Sequence, residues 1–136
     1  VMALIEWNQS LKVDIKQFDD QHQQLVAMVN QLHQAIKDGQ GADLLDEILV
    51  SLLEYTRVHF TAEEVLMEQY SYPEYLRHKK EHIDLVSQVE EVIRQFNAGK
   101  ILQPINLMQF LVNWLTNHIK GEDKKYTDFF KNKGIE

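Results

Sequence analysis

The sequence predicts an all-α protein: an up-down-up-down antiparallel four-helix bundle with an extended N-terminal arm and a short C-terminal helix. Three observations predict it. Apolar residues recur at steps of three and four in four long segments, as one face of an α-helix requires. Helix breakers separate those segments: Gly39 and Gly41, Pro73, then Gly99 with Pro104, and Gly121. The linkers are only about three to seven residues, which makes sequential helices antiparallel neighbours.

The elements follow in chain order. An arm over about residues 2–17 carries Trp7 and the alternating Leu11, Val13 and Ile15, and is expected to lie extended across the bundle. A first helix over about 18–38 has the stripe Phe18, His22, Leu25, Val29, Leu32, Ile36. A second over about 42–70 reads Leu45, Ile48, Leu52, Thr56, His59, Glu63, Leu66, Tyr70. The third, about 74–98, reads Tyr75, His78, His82, Leu85, Val89, Val92, Phe96. The fourth, about 104–121, reads Met108, Leu111, Leu115, His118, and a short final helix is expected over about 124–131. No repeat or second domain interrupts this, so residues 1–136 are read as one domain.

Composition narrows the function. The 136 residues are 44% hydrophobic and 26% charged, ordinary values for a globular chain with a packed core. A net charge of -7 argues against nucleic acid, which needs a basic face. The tail lysines Lys120, Lys124, Lys125, Lys131 and Lys133 are interleaved with Glu122, Asp123 and Asp128, so they form no such face. With no cysteine there is no disulfide, thiolate zinc site or iron–sulfur cluster. No apolar run reaches the roughly 18 residues of a membrane span, and no signal-peptide pattern opens the chain, so a cytoplasmic location is expected.

The inward stripes hold an anomaly. Five histidines and a glutamate stand where an amphipathic helix puts apolar side chains. Burying each unpartnered would cost roughly 1–3 kcal/mol when neutral and more when charged. One such residue is a routine core histidine; this many, spread over all four helices, call for a common partner, and a metal centre supplies one. His59 with Glu63, and His78 with His82, are spaced i,i+4 and so project from one face. Asp123 is less regular. Five residues past His118, it is rotated by about 140° on an ideal helix. It can join the site only if the helix breaks near Gly121, where glycine eases the break. Five imidazoles and two carboxylates are too many donors for one ion with an open position and suit two ions. Without thiolates they favour iron, manganese, zinc or copper over calcium and magnesium.

The set His22, His59-x-x-x-Glu63, His78-x-x-x-His82 and His118-x-x-x-x-Asp123 resembles the hemerythrins, and the single-domain length resembles bacteriohemerythrins. The likeness runs through the arm with Trp7 and the stretch Phe18-Asp19-Asp20-Gln21-His22. It implies two iron ions with an oxo or hydroxo bridge. His78, His82 and His118 would hold a saturated iron, and His22 and His59 an iron with an open position. Glu63 and Asp123 would bridge. It implies reversible dioxygen binding for transport, delivery or buffering rather than enzymatic turnover, with an oxygen-consuming enzyme as a fitting recipient. Leu25, Phe60, Trp114 and Leu115 match the family's oxygen-pocket positions, and Tyr126 a place for a hydrogen bond near the bridges.

Blander readings apply elsewhere. His33 lies eleven residues past His22, about 16 Å along a helix, and is expected to be no ligand. Glu64 is expected to point away from the stripe into solvent. A ferritin-like oxidase or peroxidase would show Glu-x-x-His pairs and a zinc protease His-Glu-x-x-His; the chain has neither. The alternatives kept are oxygen or redox sensing through a separate partner, and a peroxidase or nitric-oxide-detoxifying activity at an open di-iron site.

Overall fold

The computed structural model describes residues 5–39, 42–99, 104–121 and 123–135. Four helices form the bundle: α1 (Lys16–Lys37), α2 (Ala42–Gln69), α3 (Tyr75–Asn97) and α4 (Pro104–Gly121). A 3-10 turn, Asp123–Tyr126, then leads into α5 (Thr127–Asn132). Helix α1 packs on both α2 and α4, and α2 packs on α3. The indole N–H of Trp114 donates to the Leu85 carbonyl at 3.3 Å, tying α4 to α3.

The helices form where apolar periodicity gives each a face to bury, and they stop where the breakers stand. Helix α1 is capped at its C-terminus by Asp38, and Gly39 follows at φ 71, the left-handed conformation that the residue after a helix commonly adopts and glycine adopts without strain. Gly99 does the same after α3. The buried core runs the length of the bundle through Val29, Leu32, Leu49, Leu52, Val89, Leu111 and Ile119. At one end it becomes aromatic. Phe18 packs on Tyr126 and Phe130, with ring centroids 5.5 and 6.2 Å apart, and Tyr72 closes on Phe130 at 6.1 Å. Helix α5 thereby caps the bundle.

Against expectation, the arm is not extended throughout. It contains a 3-10 turn at Gln9–Leu11, capped by the Asn8 side chain on the Ser10 amide, and α1 starts at Lys16, earlier than periodicity placed it. Its first residues, 2–4, lie outside those described. Leu11, Val13 and Ile15 are buried, as their alternation implied. Polar clamps hold the arm down. The Asn30 side-chain amide pairs with both backbone groups of Ile5 at 2.8 and 2.9 Å. The buried Asp19 carboxylate accepts from the Val13 and Asp14 amides at 2.7 and 3.1 Å. Thr127 on α5 donates to the Val13 carbonyl at 2.7 Å, so the arm is strapped between the first and last helices.

Candidate metal centre

Nine described residues are polar or charged and buried: Asp19, His22, Thr56, His59, Glu63, His78, His82, His118 and Asp123. Two have ordinary local partners. Asp19 holds the arm, and the Thr56 hydroxyl donates to the Leu52 carbonyl one turn back at 2.7 Å. The other seven are the set singled out in the sequence, and the structure brings all seven together. Their donor atoms form two groups, each with all atoms within 4.8 Å of one another: Glu63, His78, His82, His118 and Asp123, and His22, His59, Glu63 and Asp123. Glu63 and Asp123 belong to both.

The two carboxylates are the hub. Glu63 Oε1 lies 3.4 Å from His59 Nε2 and 3.3 Å from His82 Nε2. Asp123 Oδ1 lies 3.0 Å from both His78 Nε2 and His118 Nε2, and its Oδ2 lies 3.0 Å from His22 Nε2. Of these approaches, the one from His78 Nε2 to Asp123 Oδ1 is a hydrogen bond. The Nε2 atoms of His22, His59, His82 and His118, with Glu63 Oε1 and Asp123 Oδ2, are buried and have no hydrogen-bond partner. Native proteins satisfy nearly all such atoms, because each orphan costs about 1–3 kcal/mol. Six orphans converging on one place, all of them lone-pair donors to metal ions, fit a pair of ions shared between the two groups.

Asp123 reaches the site because α4 ends at Gly121 and a 3-10 turn begins at Asp123. The break is where the spacing demanded it, beside Gly121, and it uses neither a left-handed glycine nor a crowded Cβ position. Gly121 has no left-handed φ, and a Cβ built there meets nothing within 4 Å. Tyr126, three residues on and fully buried, donates its hydroxyl to Glu63 Oε2 at 2.5 Å.

A layer of partners outside the set was missed in the sequence. His59 Nδ1 donates to Gln21 Oε1 at 2.5 Å, His82 Nδ1 to Glu64 Oε2 at 2.8 Å, and His118 Nδ1 to Glu81 Oε1 at 2.9 Å. A proton fixed on Nδ1 leaves Nε2 as the nitrogen that faces the cluster and that an ion would take. Glu64 therefore does not point into solvent: one residue past Glu63 it is turned by about 100° onto the edge of α2 that meets α3, where its side chain is only 19% exposed. His33 belongs to neither group of donors.

Charge follows this layer. Burial dominates at His59, whose outer partner is a neutral amide, and lowers its pKa to about 4. At His118 burial also pulls down, but Asp123 and Glu81 outweigh it and raise the value to about 10. His82 is raised the same way, Glu63 and Glu64 overcoming burial. Burial pushes the Asp123 carboxyl up, yet His118, His22 and His78 together hold it well below the usual carboxylate range. Tyr126 is raised well above its usual value by burial and by the Glu63 and Asp123 charges.

A cavity of about 10 Å³ adjoins the cluster, on the scale at which a single water-sized molecule fits. Its polar lining is His22, His59, His118 and Asp123; its apolar wall is Leu25, Phe60, Leu85, Trp114, Leu115 and Ile119. The four pocket residues named from the sequence all lie on that wall. Both His22 and His59 line it, whereas of His78, His82 and His118 only His118 does, so the space lies nearer the His22–His59 pair.

The sequence model of the Hemerythrin HHE cation binding domain matches residues 13–130. The chain belongs to the hemerythrin family. It is 37% identical to a bacteriohemerythrin of Stenotrophomonas maltophilia over 96% of this chain and 84% of that one. It is 31% identical to a myohemerythrin of Theromyzon tessulatum, over 89% of each chain. A crystal structure of wild-type hemerythrin superposes with a TM-score of 0.84 at 31% identity, covering 93% of this chain and 97% of that one. The four-helix architecture is thus the hemerythrin bundle, and no described helix is long and apolar enough to cross a membrane.

Proposed function

We propose that this hemerythrin binds dioxygen reversibly at a di-iron centre, for oxygen transport, delivery or buffering. The observation that carries the reading is the juxtaposition of two donor groups sharing Glu63 and Asp123 with a small, largely apolar-walled cavity that touches both His22 and His59 and, of the other three histidines, His118 alone. His78, His82 and His118 would hold one iron and His22 and His59 the other, with Glu63 and Asp123 available to both. When bound, the iron pair supplies the two electrons that dioxygen takes up and returns.

The chain's own residues account for reversibility. Five imidazoles against two carboxylates provide little anionic charge, which disfavours high oxidation states of the metal and so favours binding over oxygen activation. Leu25, Phe60, Trp114 and Leu115 keep water from the ligand, and water would otherwise promote irreversible loss of electrons. The Phe60 ring stacks on the His82 imidazole, centroids 3.8 Å apart, and holds that ligand flat against the apolar wall. The Tyr126 hydroxyl occupies one lone pair of Glu63 Oε2, fixing the carboxylate's rotation across the shared position.

The test is an optical titration of reduced, iron-loaded protein with dioxygen. The expected result is a visible absorption band that appears with oxygen, saturates at one dioxygen per two irons and vanishes on deoxygenation over repeated cycles. Oxidation that cannot be reversed, or steady consumption of a reductant, would replace carriage with an enzymatic reading.

A further inference from the structure

The outer partners form a pattern. Gln21 on α1 bonds His59 on α2; Glu64 on α2 bonds His82 on α3; Glu81 on α3 bonds His118 on α4. Each of the first three helices supplies the acceptor for an imidazole on the next. Each acceptor also directly neighbours a member of the cluster on its own helix: one step before His22, one step after Glu63, one step before His82. A step turns a helix by about 100°, and adjacent helices run in opposite directions. A backward step on α1 and α3 and a forward step on α2 therefore turn the same way round the bundle. That shared rotation aims each acceptor at the following helix.

The fourth member of the series would be one step after His118 on α4, aimed at His22 on α1. That residue is Ile119, fully buried, with no acceptor to offer, and it lines the apolar cavity beside His22. His22 Nδ1 is accordingly buried without a partner. His78 Nδ1 also lacks one, but its Nε2 is bonded to Asp123 Oδ1 at 3.0 Å. The chain of bonds is open at one joint, and the cavity stands at that joint. Of the trio His78, His82 and His118, two imidazoles are pinned by carboxylates. Of the pair His22 and His59, one is pinned, by a neutral amide.

We propose that Gln21, Glu64 and Glu81 are positioning residues of this open ring, and that the ring widens the difference in grip already set by three imidazoles against two: the His22–His59 position releases its ion first, and Glu64 with Glu81 retain the ion of the trio. The inference rests on the di-iron reading above, but it concerns grip rather than oxygen. Outer partners of metal-bound histidines are worth about ten-fold or more in affinity. A carboxylate makes the imidazole a stronger donor than an amide does.

The experiment is anaerobic release of ferrous iron from the loaded chain to a chromogenic ferrous chelator, followed in time after uptake has been counted. Wild-type protein should release in two phases of equal amplitude. Glu64→Gln and Glu81→Gln should each speed the slow phase about ten-fold and leave the fast phase unchanged. Gln21→Leu should speed the fast phase alone, and Gln21→Glu should slow it. The melting temperature of each metal-free variant separates this from loosened packing, which would move both phases together. A single release phase in wild type, or variants that shift both phases equally or neither, would overturn the proposal while leaving the di-iron reading standing. Uptake of fewer than two ferrous ions by wild type would remove both.

Discussion

The five-residue step from His118 to Asp123 is legible as a helix break, because no regular helix puts both on one face. The break exists, but Gly121 finishes α4 without a left-handed φ and with open space around its Cβ position. Gly121→Ala should therefore leave iron content intact and stabilise the chain by about 0.5–1 kcal/mol in urea unfolding, since glycine costs a helix about that much relative to alanine. A loss of iron would show that the glycine shapes the break after all. His118 behaves in the opposite way: its Nε2 lies 3.0 Å from Asp123 and has no hydrogen-bond partner. His118→Ala should lower iron below two per chain by elemental analysis, and unchanged iron would contradict its place among the ligands. Tyr126→Phe removes the donor to Glu63 Oε2 inside a fully buried site. It should cost about 1–3 kcal/mol of metal-free stability, the usual cost of stranding a buried acceptor; a change within experimental error would mean that the carboxylate finds another donor.

Among the elements, the four helices and their inward faces were legible because burial enforces a period, and the histidines were legible because they violated it. His22, His59, Glu63, His78, His82 and His118 needed only that logic, while Asp123 needed the family pattern. What periodicity could not show is contact between helices. Gln21, Glu64 and Glu81 sit at flank positions where polar residues are ordinary, and their role depends on the relative rotation of neighbouring helices. The one local signal was adjacency to a ligand on a consistent rotational side. The arm was half legible for a similar reason. Alternation announced the burial of Leu11, Val13 and Ile15, but the polar clamps that fix the arm are long-range. Asp19 carries most of that role, taking two backbone amides into a buried carboxylate. Asp19→Ala should strand both amides, costing about 2–3 kcal/mol, and should raise hydrogen exchange at Val13 and Asp14 well above that of the α1 core. Exchange that rises uniformly over the chain would mean the arm is not a separate unit. Because Thr127 binds the same stretch, the loosening should extend into α5 and be felt at Tyr126.

For the whole molecule, the buried charges set opposing limits on stability as pH changes. His59 titrates near 6.5 in the unfolded chain but only near 4 in the folded one, because burial disfavours its charged form. Between those values the unfolded state holds more protons, so stability falls as pH drops through that window. The depressed Asp123 carboxyl adds to the acid limb, since its contribution is present above the usual carboxylate range and lost as pH falls through its folded value. His118 works the other way. Held between Asp123 and Glu81, it keeps its proton to about pH 10 when folded and loses it near 6.5 when unfolded. That contribution is complete below about 6.5 and is lost as pH rises toward 10. The metal-free chain should therefore be most stable near pH 6.5 and lose a few kcal/mol on either side, at about 1.4 kcal/mol per unit of pKa difference. Urea unfolding of metal-free protein from pH 4 to 10 measures this directly. On the proposed di-iron reading, iron should change one limb selectively. An ion at His118 takes the place of its proton, so loading should release protons, uptake should tighten as pH rises, and the alkaline decline should flatten in the loaded protein. A metal-free chain whose stability keeps climbing to pH 10 would show that His118 is not charged at neutral pH, and that an ion entering the trio meets an imidazole already free to bind it.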